Sequence, residues 1–198
     1  MAASSALALP PAPQPARPRV LLIGTALAAG ASFMGVIALL GVYLSERAAV
    51  VATGESWLPD GSNIPLTPGN MAFATMLLSA VTMWWAVDAV GKNDRQMAYL
   101  ALGLTIVFGL AVINLTSFIY TQAALPVATM PGLLIYVVTG AHLVMISAGL
   151  VFAAVMTLRT LGGEYEGRSR EGLTAATLFW YVTIAAHAAI WLAIYVTK

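Results

Sequence analysis

The fold is decided by residues 96–158, QMAYLALGLTIVFGLAVINLTSFIYTQAALPVATMPGLLIYVVTGAHLVMISAGLVFAAVMTL, which contain no Asp, Glu, Lys or Arg. One crossing of a membrane by an α-helix needs about 20 apolar residues, so this stretch is too long for a single span. Pro126 and Pro131 lie near its middle, and proline interrupts helices. The stretch therefore predicts two transmembrane helices, near residues 97–120 and 132–158.

Charged residues on either side of this stretch mark out three further apolar segments. They predict membrane-spanning helices near residues 20–44, 71–90 and 173–197. A polar loop rich in Pro and Gly separates the first two segments, and Asn70 at its end is predicted to cap the second helix. The predicted fold class is therefore all-α, a polytopic transmembrane bundle of five helices that forms one domain over residues 20–198.

The composition agrees with a chain that faces lipid. Of the 198 residues, 60% are hydrophobic and 9% are charged, whereas soluble domains carry about 25% charged residues. The net charge of +1 and the lack of a basic stripe indicate no nucleic-acid partner. The absence of cysteine excludes disulfides and thiolate metal sites, and two histidines supply few ligands for a metal or a heme.

The segment 1–19 is rich in Ala and contains five prolines, which predicts a disordered tail. A cleaved signal is the alternative, with two arginines as its basic region and the next segment as its apolar region. Five spans would place most Lys and Arg residues on the tail side, which predicts a cytoplasmic N-terminus and an external C-terminus. The tail side would hold Arg17, Arg19, Lys92, Arg95, Arg159, Arg168 and Arg170, and the other side Arg47 and Lys198.

Asp88 is the only acidic residue inside a predicted span, and it lies within one turn of the cytoplasmic end. Charged groups inside a membrane are costly and usually mark a pathway or a site. Two interpretations follow for this carboxylate. It forms an interfacial pair with Lys92, or it is a proton-entry group.

The two histidines, His142 and His187, lie in the middle of the fourth and fifth predicted helices. Three roles are open to them: a metal or heme pair, two neutral rings hydrogen-bonded between helices, or contact with lipid headgroups or a partner subunit. On the third helix, Asn114 and Ser117 are one turn apart and are predicted to bond across to a neighbouring helix. No nucleotide-binding loop, hydrolase elbow or zinc-protease pair is present. The pattern favours a non-catalytic membrane subunit over its alternative, a small transporter.

The fourth helix also carries a motif that resembles a family signature. It matches the Tyr-x-x-Thr-Gly-x-His pattern of subunit III of heme-copper cytochrome oxidases, whose short bacterial form has five spans with this signature on the fourth. The matching residues are Tyr136, Thr139, Gly140 and His142, followed by Gly149.

Three other segments are similar to the same family. FWYVTIAAHAAIWLAIYVTK at 179–198 resembles its final helix, with Trp180 on a conserved Trp. YLSERA at 43–48 resembles the end of the first helix in actinobacterial members, and the Trp-Leu-Pro that starts at Trp57 agrees with the loop that follows. The likeness covers about residues 20–198.

The departures from the family pattern remove most of its buried ionisable groups. Ser32 stands where the family carries a glutamate, and Met145 stands where it carries a second histidine. In the third helix, the family's Gln-x-x-Glu-Tyr is replaced by Asn-x-x-Ser-Phe. In the last helix, the His-Phe-Val-Asp that follows the family's conserved Trp is replaced by Tyr-Val-Thr-Ile. The substituting residues are Asn114, Ser117 and Phe118 on the third helix and Tyr181, Val182, Thr183 and Ile184 on the last.

The resemblance implies an accessory subunit III of an aa3-type cytochrome c oxidase in a bacterial cell membrane. Such a chain has no heme or copper of its own; heme a and copper belong to the partner subunits I and II. It would stabilise subunit I, bind phospholipid and join a respiratory chain that can include a supercomplex with a cytochrome bc complex. The alternative is a subunit III-like protein of another complex, such as a nitric oxide reductase. The residues expected to contact lipid or subunits are Tyr136, Thr139, His142, Trp180 and His187.

Overall fold

The computed structural model describes residues 19–162 and 170–197, and within these ranges it is all-helical. The helices are α1 (Val20–Ala52), α2 (Leu66–Gly91), α3 (Arg95–Ala123), α4 (Met130–Leu161) and α5 (Glu171–Ile190), and α5 continues as a π-helix over Trp191–Val196. Five helices, α5 taken with its π-helical end, are long and apolar enough to cross a membrane. The predicted five-span helical fold is thus confirmed. The predicted tail and most of the α4–α5 loop lie outside the described residues.

α2 and α4 begin earlier than predicted, and each has a proline in its first turn. Asn70 does not cap α2, since the helix starts at Leu66 and its N-cap is Pro65. Pro131 likewise does not stop a helix but lies in the first turn of α4, where Thr129 caps the backbone N–H of Gly132 at 3.3 Å. The N–H groups of a first turn have no intrahelical partner, so a proline there costs no hydrogen bond.

α2 and α3 form an antiparallel pair joined by a tight turn. Asn93 adopts a left-handed backbone conformation (φ 57°) in this turn, which asparagine tolerates better than most residues. The Asp94 side chain caps α3 by accepting a hydrogen bond from the backbone N–H of Met97 at 3.1 Å. α5 packs against α1, α2 and α4, and α1 packs against α4 and α5. α5 therefore packs against three of the other four helices.

The α1–α2 loop closes one end of the bundle. Trp57 is buried and packs edge-on against Tyr43 of α1, with the ring centroids 5.6 Å apart. The backbone N–H of Asn63 donates to the carbonyl of Ala123 at the end of α3, at 3.2 Å. This loop therefore joins the end of α1 to the end of α3.

Candidate functional site

Trp180 of α5 lies at the centre of the bundle and is fully buried. Its indole Nε1 donates a hydrogen bond to Ser79 Oγ of α2 at 3.0 Å, and that hydroxyl donates in turn to the carbonyl of Met76 at 2.6 Å. A buried indole N–H needs an acceptor. Ser79 supplies it, so the two residues tie α5 to α2.

Two glycines make room for the Trp180 ring. A Cβ placed on Gly149 of α4 would lie 2.8 Å from Trp180 Cε3, and one on Gly109 of α3 would lie 2.8 Å from Cη2. Both distances are shorter than carbon–carbon contact allows. Gly149 follows the signature-like motif of α4, and the structure shows why a glycine suits this position: α4 and α5 approach closely here.

A second polar contact links α2 and α3 about one helical turn from Ser79. Thr82 Oγ1 and Thr105 Oγ1 lie 2.7 Å apart and both residues are buried. Thr105 also lies 2.9 Å from the carbonyl of Ala101 on its own helix. These hydroxyls and that of Ser79 were not singled out from the sequence, because scattered Ser and Thr are common in spans. The available signal was the spacing of Ser79 and Thr82, which places both on one face of α2.

His142 and His187 meet between α4 and α5. His142 Nε2 and His187 Nδ1 are 3.0 Å apart, and both residues are buried. On the other side of His187 lies Phe73, whose ring is nearly parallel to the imidazole at a centroid distance of 6.2 Å. Of the three arrangements left open by the sequence, the structure contains the hydrogen-bonded pair of rings. At least one ring must be neutral, because one nitrogen has to accept the proton.

The surroundings of this pair offer little for a metal. Among the described residues, no three His, Cys, Asp or Glu side chains come together as a metal site would need. The two imidazoles already bond to each other, which uses one nitrogen of each ring. The arrangement can hold α4 to α5, and it contains no nucleophile next to a base.

Tyr136 and Thr139, the other signature residues, tie α4 to α3 and to the turn between them. Thr139 Oγ1 and Tyr120 Oη of α3 lie 2.6 Å apart, and the rings of Tyr120 and Tyr136 meet edge to face with centroids 4.9 Å apart. Tyr136 Oη donates to the carbonyl of Leu125 at 3.1 Å. Of the five residues expected to contact lipid or subunits, Tyr136 is partly exposed and the other four are buried inside this chain.

The remaining polar candidates lie at the surface. Asp88 and Lys92 form an ion pair of 2.7 Å, with the Lys92 side chain 71% exposed and that of Asp88 36% exposed. Asn114 and Ser117 were expected to bond across to a neighbouring helix, and the structure corrects this. Both face away from the bundle, and Ser117 donates to the carbonyl of Ile113 on its own helix. The physical reason is that α3 packs against α2 and α4 through its opposite side.

An apolar groove of about 650 Å³ runs between α1 and α4 and reaches α5. Ser32 and Met145, the positions at which the resemblance leads one to expect a glutamate and a histidine, both line it. The Ser32 hydroxyl donates to the carbonyl of Ala28 on its own helix at 2.8 Å. The groove therefore offers an almost wholly apolar wall, suited to a hydrocarbon chain.

Comparison with known proteins agrees with this architecture. A sequence model of the family described as cytochrome c oxidase subunit III matches residues 21–198. Proteins named cytochrome c oxidase subunit 3 from Xenopus laevis and Scyliorhinus canicula are each 31% identical over 159 residues, 78% of this chain. The one from Struthio camelus is 30% identical over 157 residues, 77% of this chain.

The relatives differ from this chain in length. The matched region covers 59% of the length of the Xenopus and Scyliorhinus proteins, so this chain is similar to part of each. The buried Trp180 and Gly149 beside it both lie within residues 21–198, the range that the family model matches. A family model that matches residues 21–198, nearly all of the helical membrane bundle, leaves one assignment: the chain belongs to the cytochrome c oxidase subunit III family.

Proposed function

We propose that this chain is an accessory, non-redox subunit III of an aa3-type cytochrome c oxidase in the cell membrane of an aerobic bacterium. Its role is to stabilise the catalytic subunit I, next to subunit II, while heme a and copper in those partners carry out electron transfer and oxygen reduction. One observation carries the proposal: the buried polar side chains bond helix to helix. Trp180 with Ser79 and His142 with His187 are the main examples.

Phospholipid is the second partner in this proposal. The groove between α1 and α4 has a volume of about 650 Å³ and the apolar lining that an acyl chain needs. Tyr136 contacts lipid or a subunit directly. The buried residues Thr139, His142, Trp180 and His187 act through the helices they hold together, by fixing the outer surfaces that lipid and subunits meet.

The proposed orientation has the N-terminus in the cytoplasm, as the distribution of Lys and Arg favours. Because the chain has no cysteine, a single introduced thiol reports its own side of the membrane. An Asn63→Cys variant in the α1–α2 loop is expected to react with a membrane-impermeant maleimide added to intact cells. A Lys92→Cys variant in the α2–α3 turn is expected to react only after the cells are opened. The reverse labelling pattern would refute the orientation.

Gentle purification of the tagged chain from its native membrane tests the function itself. The expected result is a complex that contains subunits I and II and shows the absorption spectrum of heme a. A supercomplex would add the subunits and hemes of a cytochrome bc complex to the same preparation. A complex with b-type hemes and no heme a would point to a nitric oxide reductase, and a chain recovered without any heme protein would refute the proposal.

A further inference from the structure

The side of α3 that faces away from the bundle carries residues at alternating spacings of four and three. These residues, the α3 seam, are Gly103, Val107, Leu110, Asn114, Ser117 and Thr121. Val107 and Leu110 are 58% and 54% exposed, and a Cβ on Gly103 would meet nothing within 4 Å. Alternating spacings of this kind mark the contact line of two helices that cross at a small left-handed angle.

Asn114 lies inside the membrane-spanning part of the seam. α3 has 29 residues, about 43 Å at 1.5 Å per residue, and Asn114 is about 14 Å before its last residue, Ala123. A hydrocarbon core about 30 Å thick and centred on the helix therefore includes this side chain. An asparagine carboxamide is thus presented outward at a depth where lipid offers no hydrogen-bonding group.

The polar neighbours of Asn114 on the seam differ from it in one respect. Ser117 and Thr121 donate to carbonyls of their own helix, at 3.0 Å to Ile113 and 2.7 Å to Phe118. The Asn114 carboxamide has no hydrogen bond to any residue in the described ranges 19–162 and 170–197. An amide transferred to hydrocarbon without a partner is strongly disfavoured. Among these three side chains, Asn114 is the one left without a partner in the described part of the chain.

We propose that a transmembrane helix of a partner subunit packs along the α3 seam and presents a hydrogen-bonding side chain opposite Asn114. The glycine at one end of the seam lets the partner backbone approach closely, and a single asparagine within such a seam fixes the register of the pair. An acyl chain would fill the apolar positions but would leave the carboxamide unpaired. The inference rests on the proposed function only in naming the partner as an oxidase subunit.

Photocrosslinking in the intact complex tests the contact without altering Asn114. A benzophenone amino acid at Leu110 is expected to crosslink to another subunit when the tagged chain is illuminated in its native membrane. Crosslinks only to lipid, or to a second copy of this chain, would overturn the proposal. If the crosslinked subunit belongs to a complex without heme a, the proposed function fails while the α3 seam stands as an interface.

Substitution of Asn114 supplies a second test, because a partner helix and lipid next to this side chain predict opposite results. Asn114→Leu is expected to lower the recovery of the partner with the tagged chain at least about threefold, the effect of losing one average interhelical hydrogen bond. Ser117→Ala is the matched control and should leave recovery unchanged, because Ser117 bonds within its own helix. If Asn114 faced lipid, leucine would suit its position better. Recovery equal to or above that of the wild type would therefore overturn the proposal.

Discussion

Replacing Trp180 with alanine is expected to lower the free energy of unfolding of the chain by about 3–5 kcal/mol, the usual cost of removing a large buried aromatic side chain. Trp180 is fully buried, and its ring fills the space beside Gly109 and Gly149. Neither glycine has a side chain that could fill the space left by the ring, so a cavity would remain. The loss of the hydrogen bond to Ser79 adds to the effect.

The measurement is unfolding of the purified chain by sodium dodecyl sulfate in mixed micelles, followed by circular dichroism. Trp84→Ala provides the control, because Trp84 is on α2 and is 62% exposed, so its removal leaves no internal cavity. We expect that variant to unfold close to the wild-type midpoint. Equal losses for the two variants would show that Trp180 is not the centre of the bundle. Ser79→Ala should cost about 1 kcal/mol and so separates the hydrogen bond from the ring packing.

The five-helix fold could be predicted from the sequence because its two signals are local. Long uncharged segments and the charges between them are visible without knowing which helices touch. The helix ends were harder to predict. Pro131 reads as a break in the sequence, yet in the structure it belongs to the first turn of α4, where a missing N–H is harmless.

The partners of the candidate residues could not be predicted, because they depend on how each helix is rotated. Trp180 was singled out by its family position, but nothing in the sequence relates it to Ser79, 101 residues away. The hydrophobic pattern does not indicate how each helix is rotated about its axis, since apolar residues lie on all sides of these helices. Asn114 shows the same limit: it was expected to face a neighbouring helix of this chain and faces outward.

Replacing either histidine of the central pair with leucine is expected to lower the free energy of unfolding by about 1–3 kcal/mol, because the partner left behind loses its hydrogen bond inside the bundle. His142 Nε2 and His187 Nδ1 are 3.0 Å apart, and both residues are too deeply buried for water to replace the missing group. Leucine has a similar volume, so a cavity contributes little. Met145→Leu is the matched control on α4, because it exchanges a buried apolar side chain for another.

The double variant, with leucine at both His142 and His187, decides whether the two rings act as a pair. Once both are apolar, neither leaves an unpaired nitrogen, so the double variant should lose less stability than the two single variants together. Interhelical hydrogen bonds in membranes average about 0.6 kcal/mol, with a maximum near 1.7 kcal/mol, which sets the expected difference. The same micelle unfolding measurement gives all three values. Additive losses would mean that the rings stabilise α4 and α5 separately and that the 3.0 Å contact contributes nothing of its own.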